Sequence, residues 1–351
     1  MTNQATNAPK IKKESKNKIK VEFDRTPLLE RLKSKFLNMY TVKNIVWFLF
    51  RFLLLLGVAY VILFPFYSKI ASSFMSAQDF VDVTVRLIPK YPTLDTYKAI
   101  IVENGYLSAL LNTVLLAGSC ALIQTFVCCL IAYGFAKFKF KFNSALFLLV
   151  VFTMVVPHST LKLSMFMEFR YFDILGIMNF LGGGVVDKIA IFEDTSINLL
   201  NSYWPLWILS STGLAFKNGL YIFLLRQFFK GVPDELEESA YVDGAGVLRT
   251  FVQIILPLSV PMLITVFMFA FSWQWTDNFY TETFFTTTGP TLMPDIVAIP
   301  TGLNVTGAAS SLYTAAITNT CGLMIILPLV LIYAFAQKYI VQGIERSGIT
   351  G

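Results

Sequence analysis

Charge is the first thing this 351-residue chain has little of: 14% of its residues are Asp, Glu, Lys or Arg, against 55% hydrophobic. Its mean hydropathy is +0.63. A soluble globule of this size carries roughly a quarter of its residues as charges, so lipid must solvate much of this chain. Histidine is nearly missing, with one residue, and cysteine is sparse, with four. Cys120, Cys128, Cys129 and Cys321 lie in apolar runs without the paired C-x2-C spacing of a metal site, and they read as small core residues. No G-x4-G-K-[ST] phosphate loop occurs, which excludes a nucleotide site of that type within the chain. The first apolar run follows a polar, lysine-rich tail rather than a signal-peptide pattern, so it reads as a retained membrane span.

What the chain does have is long apolar runs. A hydrocarbon layer about 30 Å thick takes roughly 20 residues of helix, and six runs qualify: Val46–Tyr67, Ala109–Ala132, Ser144–Met167, Tyr203–Phe228, Ile254–Trp275 and Leu312–Ala336. The expected fold class is therefore all-α and polytopic. Residues 1–45 form a basic tail and 46–351 the transmembrane domain. Pro157, His158 and Lys162 interrupt the third run, and Lys217 the fourth.

Orientation follows from the bases. The tail carries eleven Lys or Arg, Lys10 through Lys43, against four acids, which places the N-terminus in the cytoplasm by the positive-inside rule. Lys137, Lys139 and Lys141 follow the second run with no acid among them, as a cytoplasmic loop should. Acids dominate after the third run (168–201) and stand without a base after the fifth (Asp277, Glu282, Asp295), so those loops belong outside. Six spans with both termini cytoplasmic satisfy this pattern. The net charge of +6 is gathered beside the spans, which favours a topology signal over nucleic acid, and the tail suits anionic lipid headgroups.

One cytoplasmic loop breaks the pattern. Asp234, Glu235, Glu237, Glu238 and Asp243 place five carboxylates within ten residues between the fourth and fifth runs. Pro233 and the first acids suit a helix start, and Leu236, Ser239, Ala240 and Asp243 share one face by spacing. Gly244 and Gly246 end that helix, and a second helical run leads through Leu256-Pro257 into the fifth span. Glu238-Ser239-Ala240, three residues, Gly244, nine residues, Ile254, one residue, Leu256-Pro257 resembles the E-A-A-x3-G-x9-I-x-L-P loop of permease subunits of binding-protein-dependent ABC importers. Ser239 replaces the first alanine. Residues 223–246 are similar to the maltose-type carbohydrate importers, in the subunit class with a glycine-rich C-terminal end. PKYPTLDTY (Pro89–Tyr97), LLNT (Leu110–Thr113), AYGFAKFKF (Ala132–Phe140), NSYWPL (Asn201–Leu206) and the terminal QKYIVQGIERSGITG extend the likeness over about Phe48 to Gly351.

The resemblance implies a type I importer permease in the cell membrane of a prokaryote, importing a sugar by alternating access. Its loop, about 231–257, would be the coupling helix, with Glu238 meeting a basic residue of the ATPase, Ser239 and Ala240 allowing close approach, and Gly244 making the turn. Asp243 would brace that turn or serve the fold. The implied partners are a second permease subunit, a cytoplasmic ATPase dimer that holds ATP and Mg, and an extracytoplasmic solute-binding protein. This chain itself would hold no cofactor and no metal and catalyse nothing.

Substrate-pathway candidates come from polar and aromatic groups in the runs: Asn112, Gln124, Trp273, Trp275, Asp277, Asn278 and Asn319. For both tryptophans an interfacial aromatic belt is an equal reading, and the amides equally suit contacts between helices. The family's usual Trp-Asn-acid-Phe is WTDNF here. His158 has no evident acid partner in sequence, which favours a structural or substrate-proximal role over catalysis. Lys162 and Lys217 are intramembrane cations by these boundaries, and Arg51 reads as a snorkelling interfacial residue. The stretch 172–197, with Gly182–Gly184, is longer than the family's connection and reads as a binding-protein contact or an insertion. An importer permease of the same kind for a non-sugar solute is the first alternative, followed by an ion-coupled secondary transporter, which should show two corresponding halves, and a membrane-embedded enzyme.

Overall fold

The computed structural model describes residues 11–14, 18–21, 39–173, 197–215, 217–286, 289–303 and 310–348. Two compact units divide it, Met1–Ser68 and Lys69–Gly351. In the first, strands β1 (Ile11–Glu14) and β2 (Lys18–Val21) pair antiparallel with Ile11 opposite Val21. Helix α1 (Met39–Ser73) begins there. Its 35 residues reach about 52 Å at 1.5 Å per residue, more than a bilayer core requires. The greater part of the basic tail and the expected 172–197 extension lie outside the described residues.

The second unit holds the short α2 (Asp95–Glu103) and is built around α3 (Tyr106–Lys137). Its buried side runs Ala109, Thr113, Leu116, Ala117, Cys120, Ala121, Gln124, Cys128, Cys129, Ala132 and Tyr133, steps of three and four that keep one face turned inward. Most of these side chains are small, which lets neighbouring helices approach closely where lipid offers no hydrophobic drive for association. α3 packs against α6 (Trp204–Ser211), α7 (Asn218–Lys230) and α9 (Val247–Trp275), and α9 packs in turn on α11 (Ser310–Gly348). All four cysteines are buried.

Among the described residues, four helices are long and apolar enough to cross a membrane: Lys43–Ser73, Tyr106–Lys137, Val247–Trp275 and Ser310–Gln342. The third expected span is instead a broken pair. α4 (Asn143–Val155) stops, Val156 and Pro157 are extended, and the chain resumes at His158 and continues as α5 (Lys162–Arg170), with a 90° bend between the two parts. A residue before proline is pushed out of the helical region, and proline itself offers no N–H. Counting the pair as one span gives five. The fourth expected span is also two pieces: α6 ends at Ser211, Gly213 and Lys217 take positive φ of 76° and 70°, and α7 starts afresh at Asn218. Hydropathy averaged over the run cannot see either interruption.

Several sequence motifs prove to be ties. Asn112 Nδ2 donates to the Thr291 carbonyl and the Met293 N–H donates to Thr113 Oγ1, so LLNT pins the far loop to α3. Asn201 Oδ1 accepts the Thr286 N–H and hydroxyl, joining the start of α6 to the segment after α10 (Phe279–Phe284). Asp79, 2% exposed, accepts the N–H groups of Ser76, Lys90 and Tyr91 at the head of the PKYPTLDTY stretch.

Candidate functional site

The loop after α7 forms α8 (Glu235–Val242) with Asp234 at its N-cap and Glu235, Glu237 and Glu238 in its first turn. Carboxylates there suit the positive end of the helix dipole, and Asp234 makes no side-chain capping hydrogen bond. Pro233 precedes the N-cap, two residues before the first turn in which the sequence placed it. At the other end the Gly244 N–H donates to Tyr241 O (3.0 Å) and the Ala245 N–H to Ala240 O (2.9 Å). This double closure needs a left-handed residue between them. Gly244 supplies it with φ of 79°, in open space where a Cβ would touch nothing, so its backbone freedom is the reason for glycine.

The helix has two faces. Glu237 and Ala240 are buried at 8% and 6% exposure. Glu238, Ser239, Asp243 and Gly244 are exposed, and so are Leu236, Tyr241, Val242 and, beyond the turn, Leu248. The inward stripe is therefore Glu237 and Ala240, and of the Leu236, Ser239, Ala240 and Asp243 face read from spacing only Ala240 is buried. Ala240 is corrected accordingly: its side chain packs inside this chain and is not on offer to a partner. Asp243 stands at the C-cap, its N–H donating to Ser239 O and its carboxylate without a hydrogen bond among the described residues.

A single lysine holds α8 in place. Lys137, last residue of α3, has its side chain 6% exposed. Its ammonium donates to Val232 O (2.7 Å) and Asp234 Oδ1 (2.5 Å) and lies 3.9 Å from Glu237 Oε1. That Glu237 oxygen has no hydrogen-bond partner among the described residues, so the charge of Lys137 is its compensation. Burial raises the Glu237 carboxyl above its ordinary range, while Lys137 pulls the other way. Lys137 holds Asp234 below the usual carboxylate range through their hydrogen bond. Sequence reasoning took Lys137, Lys139 and Lys141 alike as topology lysines and missed this role. The last two are exposed; the available signal was that Lys137 alone terminates the span.

The entry of α9 carries the I-x-L-P end of the motif. Val247–Thr250 is helical, Phe251–Ile255 opens into a wider π-type turn, and the regular helix resumes at Leu256 with Pro257 in its first turn. Pro257 has no N–H to return to the Gln253 carbonyl, which explains a widened turn immediately before it.

The pathway candidates divide. Gln124, Trp273 and Asp277 come together, lining one narrow cleft with Tyr221, Gln274 and Tyr280. Gln124 donates to Ser210 Oγ at 3.2 Å, and Asp277 Oδ2 accepts the N–H groups of Tyr280 and Thr281, capping α10. Trp275 leaves the candidate set, because its fully buried indole donates to Ile325 O (2.9 Å) and serves as a strut to α11. Asn112 leaves it for the tie to Thr291. Asn278 is the exposed N-cap of α10, and Asn319 stands apart on α11, half-buried. Lys162 pairs with Glu282 at 3.3 Å, joining α5 to α10, and the Arg51 guanidinium sits 5.7 Å from the Trp47 ring on its own helix. His158 and Lys217 both line a cavity of about 320 Å³ at the two helix breaks, and the Lys217 ammonium lies 4.6 Å from the Trp273 ring centroid.

A family model described as "Binding-protein-dependent transport system inner membrane component" matches residues 124–346, taking in α8, the glycine turn and the π-type turn. The chain belongs to that family. It is thus a multi-pass inner-membrane subunit of a transport system rather than an enzyme, and its family works with partner subunits such as an ATPase and a binding protein. The permease is 28% identical over 323 residues to the galactooligosaccharides transport system permease protein GanQ of Bacillus subtilis (88% of this chain, 98% of GanQ). It is 26% identical to the polygalacturonan/rhamnogalacturonan transport system permease protein YtcP of the same organism (85% and 96%). Among solved structures, one chain of a bacterial ABC transporter that imports the acidic polysaccharide alginate superposes with a TM-score of 0.61 at 18% identity, covering 85% of this permease and 97% of that chain. That likeness shows the fold.

Proposed function

We propose that this permease carries an oligosaccharide into the cytoplasm, crossing the membrane six times with both termini inside. Its partners in this reading are a second, non-identical permease subunit, a cytoplasmic ATPase dimer holding ATP and Mg, and an extracytoplasmic binding protein that delivers the sugar. The names of the relatives support a carbohydrate cargo, since GanQ and YtcP are named for transport of galactose- and galacturonate-based saccharides. The broken helices count toward the six crossings if α4–α5 and α6–α7 each make one, as irregular backbone at membrane depth is tolerated where protein covers it or a cavity borders it.

The observation that carries the mechanism is the two-faced α8. Inside, Lys137 locks it to α3. Outside, Val242 is 87% exposed and Leu248 74%, with Glu238 and Asp243 beside them. Bare apolar side chains amid acids fit a groove with an apolar floor and a basic rim, where a charged hydrogen bond sets register and the packed helix transmits movement. Glu238→Lys reverses a charge on that face, and Gly244→Pro removes both the left-handed turn and an N–H. Each is expected to abolish ATP-driven uptake in proteoliposomes while the permease remains inserted. Normal uptake by both, with the ATPase attached, would refute the coupling role.

A further inference from the structure

Between α3 and α4 the chain alternates rings and lysines, Phe138, Lys139, Phe140, Lys141 and Phe142, and all five residues are exposed, Phe142 to 67%. The segment is nonetheless folded. Phe142 takes φ of 68°, the Asn143 N–H donates to Phe140 O (3.2 Å), and Asn143 Nδ2 donates to Phe138 O (3.0 Å). One edge of it is anchored: the Phe140 ring lies 6.0 Å from that of Phe135 on α3, which lies 5.8 Å from Phe147 on α4. The Arg226 guanidinium of α7 covers this stack, 3.7 Å from the Phe147 ring centroid, and its Nε donates to Phe135 O (3.4 Å). A loop built this way holds its side chains at a fixed height relative to the ends of both helices.

Apolar surface reaches that loop from both sides. Leu122, Phe126 and Leu130 are exposed at four-residue steps along α3, and α4, which has no buried residue, exposes Leu146, Leu149 and Phe152 at steps of three. In a multi-pass membrane protein faces of this kind adjoin hydrocarbon, so the rings of 138–142 continue a lipid-facing surface to its rim. Rings and lysines together suit the boundary between acyl chains and headgroups, where the rings bury and the ammonium groups stay with the phosphates. Charge separates lipid from protein as the occupant. The exposed acids of α8, Glu238 and Asp243, fit a partner with a basic rim, which would repel Lys139 and Lys141, whereas an anionic cytoplasmic leaflet attracts them. Lys139 stands close enough to α8 to pull the Asp234 carboxyl down together with Lys137.

We propose that Phe138–Phe142 docks on the headgroups of anionic phospholipid, with Lys139 and Lys141 meeting the phosphates and Phe138 and Phe142 entering the acyl boundary. The inference rests on the topology of the importer reading, which puts this loop in the cytoplasm. All four native cysteines are buried, so Phe142→Cys gives one reactive site in this subunit for a nitroxide. The complete complex, with partner subunits free of accessible cysteine, is reconstituted in phosphatidylcholine vesicles with a rising share of phosphatidylglycerol, and the label's collision rates with oxygen and with a water-soluble nickel chelate report its depth. The label is expected to move from water to headgroup depth as phosphatidylglycerol rises. Adding Lys141→Gln should raise the share needed for half of that shift about fivefold, the size expected for one basic residue at an anionic surface, and Lys141→Arg in its place should restore it. A label that stays in water in every mixture, or is shielded only when the ATPase is attached, overturns the lipid site, the second result naming the ATPase as its occupant. Headgroup depth reached equally in pure phosphatidylcholine, with Lys141→Gln without effect, overturns the anionic preference. ATP-driven uptake of an oligosaccharide is followed in the same vesicles. Its absence in every mixture while the label still responds overturns the importer reading alone, and normal uptake with an unresponsive label overturns the lipid site alone.

Discussion

Two interruptions of helical chain in this permease solve opposite problems. At the α8 turn, Gly244 is left-handed in open space, so the break is a local backbone device that presents side chains outward. At the α6–α7 break, Gly213 and Lys217 are both left-handed, and Gly219, two residues after Lys217, sits so tightly against α4 that a Cβ would lie 2.7 Å from Thr153 Oγ1 and 3.0 Å from Val150 O. That break is set by tertiary approach and encloses space. A turn made by local rules tolerates little change in conformation and much in size; one made by packing does the reverse.

The sharpest test of the contrast is Gly219→Val. Crowding a backbone carbonyl cannot be relieved by a rotamer change, so α4 and α7 must part. A loss of about 2–4 kcal/mol, or of assembled protein altogether, is expected by thermal unfolding in detergent. Lys137→Met comes next. It strands the buried Glu237 carboxylate and the Val232 carbonyl, and polar groups left unsatisfied in this way cost about 1–3 kcal/mol, visible as protease nicking within 231–246 and loss of the ATPase. Lys137→Met combined with Glu237→Leu should recover much of that protection, since the uncompensated charge is gone. Gly244→Ala, by contrast, fits the available space and pays only for its φ, about 1–2 kcal/mol, and should weaken coupling without loss of folded protein.

Glu237→Gln has the smallest expected effect. The folded carboxyl titrates above its ordinary 4.5, so its protonated form is favoured by folding. That stabilisation is complete below the unfolded value and disappears as pH rises through the folded one. At neutral pH the Gln variant should therefore protect α8 at least as well as wild type in amide hydrogen exchange, and the gain seen in wild type on acidification should be absent. Asp234 works with the other sign, its contribution through Lys137 being lost only as pH falls below the ordinary carboxylate range.

The same contrast decides what could be read in advance. The loop that carries α8 was legible because its rules are local: acids at a helix start and a glycine at the left-handed position. The long spans were legible by length. Composition could not divide 144–167 or 203–228, because a break in an apolar run keeps the run apolar; Pro157 was the one visible sign, and Lys217 was noticed as a charge without its turn. Ala240 was grouped with Ser239 on the side offered to a partner because spacing says which side chains share a face, not which face meets the core. Lys137 stayed hidden among neighbouring lysines because its burial is created by Asp234 and Glu237, almost a hundred positions away.

The central claim is that the outer face of α8 seats on the motor subunit. Disulfide or bifunctional crosslinking from Val242→Cys in the purified complex tests it directly. The account predicts a product joining this permease to the nucleotide-hydrolysing subunit, with a yield that changes when Mg-ATP is added. If the ATPase is present and active in the same sample but the cysteine at 242 reacts only with solvent reagents or with other subunits, the claim is contradicted.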